Sequence, residues 1–151
     1  FLLGVVFDEA KMHEKVVSSM KKVLELDPDH ANALNYLGYS YAERGIELDA
    51  AEAFVKKALA LKPESGHILD SLGWVYYKKG EFSKAVKELE RAMRLLPEDP
   101  IVNEHLGDAY LKNNDKKKAL AAYENALKMS PGNRELTEKI DRLKDETKAS
   151  K

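Results

Sequence analysis

Apolar residues recur along this chain at steps of three and four, the period of a helix face. In one block Leu69, Leu72, Val75 and Tyr76 fall on a single side. In the next, Ala85, Leu89, Ala92 and Met93 form a facing side. Two kinds of punctuation alternate between blocks. Pro28, Pro63, Pro97 and Pro131 close one kind, because the residue before proline avoids helical angles. Gly45, Gly80 and Asn114 close the other, because glycine or asparagine tolerates the left-handed conformation that ends a helix. Short polar residues stand just after each proline, ready to cap the next helix: Asp29, Glu64 with Ser65, Asp99, and Gly132 with Asn133. The pattern predicts helices over 1–10, 13–26, 30–44, 48–61, 65–79, 82–95, 99–112, 116–129 and 133–148. At the first turn only Lys11 marks the break, a weaker stop than the others.

The blocks are copies of one unit. Leu72-Gly73, Tyr76, Gly80, Phe82, Ala85, Leu89, Ala92 and Pro97 recur upstream as Leu37-Gly38, Tyr41, Gly45, Ala51, Val55, Ala58 and Pro63. Downstream they recur as Leu106-Gly107, Tyr110, Asn114, Ala119, Tyr123, Ala126 and Pro131. A clipped copy opens the chain: Leu3-Gly4, Phe7, Val16, Met20, Val23, Pro28. The proline-to-proline steps are 35, 34 and 34 residues, which predicts a stacked array of helical hairpins. The units divide as 1–28 (truncated), 29–63, 64–97, 98–131, and 132–151 (a capping helix and tail). In the last of these Leu136, Ile140 and Leu143 keep helical spacing while nearly everything else is charged, as a terminal cap requires. At the other end Leu2, Val5 and Val6 are expected to be partly uncovered, calling for further repeats upstream or for self-association. The opening Phe1 falls within the second half of a helix, so the sequence reads as a piece of a longer protein.

Composition narrows the function classes. With 25 basic and 26 acidic residues the net charge is −1, which gives no electrostatic case for nucleic acid or an anionic membrane surface. The absence of cysteine excludes disulfides and thiolate metal sites. The apolar FLLGVVF opening is too short to span a bilayer, so direct membrane insertion is not expected. Compartment stays open.

The repeated Leu-Gly, Tyr, Gly, aromatic, Ala, aromatic, Ala and Pro positions resemble the tetratricopeptide repeat. The resemblance covers the whole chain. It departs where Leu34, Leu69 and Asn103 stand at the family's Trp position and where Lys116 replaces a turn aromatic. It implies an all-α solenoid, a right-handed superhelix of antiparallel helix pairs with about 3.5 repeats plus a capping helix. It also implies a concave groove lined by the first helix of each pair, whose common job in the family is to hold a peptide or protein segment. The wording of HILDSLGWVYYKKGEFSKAVKELERAM is also similar to bacterial multi-repeat proteins, including cell-envelope lipoproteins that act as adaptors.

Projecting the first helices puts Asn32, Asn35, Tyr36 and Tyr39, then His67, Asp70, Ser71, Trp74 and Tyr77, then Ile101, Glu104, His105 and Asp108 on the groove wall. Tyr36, Tyr39, Trp74 and Tyr77 form an aromatic centre suited to anchoring a peptide. For Trp74 packing against the next repeat stands as an equal alternative. Asp70, Glu104 and Asp108 make the later part acidic, favouring a basic or neutral segment. Some family members bind an acidic chain end through a clamp of Lys, Asn and Arg. Of that set only Asn appears here, so such a ligand is not expected. The sequence holds no Gly-rich phosphate loop, no His-Glu-x-x-His and no nucleophile elbow, which reads as a non-enzymatic binding scaffold without a cofactor. Two other readings stand beside it. One is a structural spacer that associates through the N-terminal edge. The other is a metal site at His67, Asp70, His105 and Asp108, each pair being three residues apart on a helix face.

Overall fold

The computed structural model describes residues 2–149, with side chains from Glu9 onward. Among the described residues there are eight helices and no strand: α1 (Leu2–Leu26), α2 (Ala31–Arg44), α3 (Leu48–Leu61), α4 (Gly66–Lys78), α5 (Phe82–Leu95), α6 (Pro100–Lys112), α7 (Lys116–Met129) and α8 (Arg134–Ala149). Helices α2–α3, α4–α5 and α6–α7 form three hairpins that stack side by side. Each first helix packs on its own partner; α2 also packs on α4 and α4 on α6, while α3 packs on α4 and α5 on α6 to join the hairpins. The chain is an all-α solenoid of helix pairs. Helices α1 and α8 flank the stack, α1 against α2 and α8 against α7.

The punctuation works as its chemistry dictates. Gly45, Gly80 and Asn114 all take left-handed angles, with φ of 66°, 81° and 65°. Ser65 accepts from the Ile68 N–H, Asp99 from those of Ile101 and Val102, and Asn133 from that of Leu136. At α2 the cap is His30, whose Nδ1 accepts from the Ala33 N–H, and not Asp29, which lies one residue too early. Inside each hairpin a glycine sets the approach. A Cβ on Gly38 would sit 2.3 Å from Val55 Cγ2, and one on Gly73 would sit 2.5 Å from Leu89 Cγ. Asn103, at the family's Trp position, is buried and donates to the carbonyls of Pro97 and Asp99, stitching the loop to the helix that begins there.

Two expectations about the ends fare differently. Leu136, Ile140 and Leu143 of α8 are sealed against α7, as a cap needs. The break expected at Lys11 does not occur. Residues 2–26 run as one helix 25 residues long, because no glycine or asparagine stands there to take the left-handed turn. The side chains of Leu2, Val5 and Val6, the expected open edge, lie outside the described residues, as does Phe1.

Candidate functional site

The first helices α2, α4 and α6 form a continuous wall, and the predicted groove residues divide along it into three groups. The first lines a cavity of about 390 Å³. Its walls are Asn32, Asn35, Tyr36, Tyr39, His67, Asp70 and Ser71, closed on the α6 side by Asp99, Ile101 and Val102. Tyr36 and His67 are exposed at the rim, and Asn35 and Tyr39 are half-buried. Asn35 Oδ1 is buried and has no hydrogen-bond partner. Burial, and then the Glu43 carboxylate, pushes the Tyr39 hydroxyl well above the usual tyrosine range, so it stays a protonated donor.

The second group is an aromatic stack. Trp74 lies over His105 with ring centroids 4.0 Å apart and over Tyr77 at 4.6 Å, nearly parallel in both cases. His105 Nδ1 is 2.9 Å from Asp70 Oδ1, a bond from α6 to α4. Trp74 is 7% exposed, and Asp70, Ser71 and His105 are buried with it. Trp74 is therefore mortar between repeats, not an anchor open to a ligand. Spacing alone leaves that choice undecided, and it centres the groove on this side chain. The expected His67–Asp70 and His105–Asp108 pairs do not form, because Asp70 turns across to His105. Among the described residues no three His, Asp or Glu side chains converge as metal ligands.

The third group corrects the expected acidic end. Lys139 of α8 donates to Glu104 at 2.7 Å and to Asp108 at 3.0 Å. The Tyr123 hydroxyl donates to Asp108 as well. Burial alone would lower the Lys139 ammonium, but Glu104 and Asp108 outweigh it and hold it above its ordinary value. The two carboxylates are thus already matched from within the chain. Sequence reasoning treats α8 only as a cap and misses Lys139. The signal was available: Lys139 stands one period beyond His105, which stands one period beyond Ser71. Replacing Lys139 by methionine leaves two half-buried carboxylates uncompensated. It is expected to cost about 1–2 kcal/mol of stability in urea denaturation, between the values for exposed and fully buried pairs.

Family models described as tetratricopeptide repeat match residues 20–53 and 71–134. This chain belongs to the tetratricopeptide repeat family. Solved structures agree with the assignment. A crystal structure of MamA superposes with a TM-score of 0.74 at 27% identity, covering 87% of this chain and 76% of that one. PilF of Pseudomonas aeruginosa gives 0.80 at 23% identity, over 98% and 67% of the two chains. The first repeat domain of Spaghetti (RPAP3), bound to an HSP90 peptide, gives 0.72 at 20% identity over 78% and 92%. The search of curated proteins returned no match. The matched repeat units fall on the three hairpins. No helix among the described residues is long and apolar enough to cross a membrane.

Proposed function

We propose that this tetratricopeptide repeat array is a non-enzymatic scaffold that holds an uncharged peptide segment of a partner protein at the cavity between α2, α4 and α6. The observation that carries the reading is the cavity's balance of charge and hydrogen bonds. Asp70 is bonded to His105, and Asp99 is used by backbone N–H groups. What remains is Asn, Tyr, Ser and His over an apolar floor of Ile101 and Val102. Asn35, with its unpaired buried oxygen, is placed to accept from a peptide N–H, and the orphan atom loses its desolvation cost on binding. Tyr36 and Tyr39 offer contact area with few torsions to freeze. The expected preference for basic ligands weakens, since Lys139 already offsets one of the two charges on Glu104 and Asp108.

That a related fold is solved with an HSP90 peptide supports peptide holding as the use of this wall. The ligand itself does not carry over. The positions of the two-carboxylate clamp here hold Asn35, Tyr36, Tyr39, Asp70, Ser71, Trp74, Glu104, His105 and Asp108, without Lys or Arg.

The test is an array of peptides graded by charge, then titration of the best uncharged binder. The double change Asn35→Ala with Tyr36→Ala touches a rim residue and an unpaired one. It should leave the fold intact and weaken binding about tenfold or more. No selection for uncharged peptides, or unchanged affinity in a folded double variant, refutes this site.

A further inference from the structure

The interior of the cavity between α2, α4 and α6 leans towards hydrogen-bond acceptors. Asn35 and Asp70 stand one repeat apart, so they hold the same place on neighbouring first helices. Asn35 Oδ1 is buried and unpaired. Asp70 spends one carboxylate oxygen on His105 Nδ1, and among the described residues nothing bonds the other. Ser71 gives its proton to the His67 carbonyl and keeps its lone pairs. The Tyr39 hydroxyl is taken up by Glu43. Asp99 adds a second carboxylate on the α6 side, and among the described residues no lysine or arginine lines the space. Lys62 donates instead to Asn32 Oδ1, on an exposed side chain at the rim. A group that enters must bring N–H donors and no negative charge.

A carboxamide meets both terms, with two N–H bonds and a carbonyl on an uncharged head. One N–H is available to Asn35 and the other to Asp70. Its match to Asn35 is reciprocal, N–H to O and O to N–H, so it holds whichever way that amide is turned. A carboxylate of the same shape has no donor and adds a third negative charge beside Asp70 and Asp99. An ammonium would leave water beside Ile101 and Val102 for a carboxylate already shared with His105. A hydroxyl has one proton for two acceptors. The lips suit a methylene stem, since Tyr36 of α2 is 40% exposed and Ile101 of α6 is 57% exposed.

We infer that the residue read in this cavity is a glutamine or asparagine, held by its side-chain carboxamide against Asn35 and Asp70. This rests on the peptide-holding proposal and narrows it from uncharged segments to carboxamide-bearing ones.

An array of short peptides on a neutral background, each position fixed in turn as Gln, Asn, Glu, Met, Lys or Ala, decides it. Binders should carry Gln or Asn at one position. Exchanging that residue for Glu, or Gln for Met of similar shape, should each weaken binding about tenfold or more. In the Asn35→Leu chain the preference for Gln over Met should shrink to about threefold or less. Binders that favour Met, or show no preference, overturn this inference alone. Binders that require Lys or Glu, or an array with no binder, overturn the uncharged-segment reading with it. A preference for Gln over Met that a folded Asn35→Leu chain keeps in full overturns the inference as well. The peptide exchanges need no variant, so they decide even where Asn35→Leu fails to fold.

Discussion

Replacing Trp74 by alanine is expected to remove about 4 kcal/mol of stability, from the burial lost and the cavity left behind. For a chain of this length that is roughly an 8–16 °C fall in melting temperature. The size comes from what the ring touches. It stacks on His105 of α6 and on Tyr77 of α4, and it lies beside the Asp70–His105 bond that crosses the same junction. Truncation therefore opens the α4–α6 contact to water and exposes a buried polar pair. In a stacked array each unit holds only its neighbours, so the loss falls at one interface and the transition should broaden as well as shift. One term opposes this: Trp74 Nε1 is buried without a partner, a cost the native state carries. Trp74→Phe keeps a stacking ring and discards that orphan donor, so it should stay within about 1 kcal/mol of the parent. Thermal melts of both variants by circular dichroism measure the contrast. A Trp74→Ala melt indistinguishable from the parent would show the ring to be a surface group after all.

The contrast marks the boundary of what residues alone make legible. The period, the turns at Gly45, Gly80 and Asn114, and the caps at Ser65, Asp99 and Asn133 are local chemistry, and they appear where the sequence puts them. Which residues of α2, α4 and α6 share a side was legible, because helix geometry fixes it. Three features depend on how one helix crosses another, which spacing along a chain does not encode. Trp74 is covered because α6 brings His105 over it. Asp70 finds its partner 35 positions away and not on its own helix. Lys139 reaches the acidic end from a helix whose spelling marks it only as a cap. The unbroken α1 is a different case. Residues 3–7 carry first-helix spelling, but a hairpin also needs a residue willing to turn, and Lys11 is not one.

Gly107→Val should cost about 3 kcal/mol, at the upper end for an overpacked contact, and lower the melting temperature by roughly 6–12 °C. A Cβ at Gly107 would meet Tyr123 Cδ1 and Cε1 at 2.5 Å each. These atoms belong to a rigid ring that is almost wholly buried, and the hydroxyl beyond them is tied to Asp108. The ring cannot swing aside without breaking that bond and disturbing the Lys139 bridge that shares Asp108. Alanine at the same place would recover about 1 kcal/mol in helix propensity and so understate the clash; valine lacks most of that offset and adds two methyl groups. The control is Gly132→Ala, where an added Cβ meets nothing within 4 Å and the φ is ordinary. It should melt with the parent. If Gly107→Val also melts with the parent, the close packing of α6 on α7 is not what holds the third hairpin shut, and the glycine at this step of the repeat needs another cause.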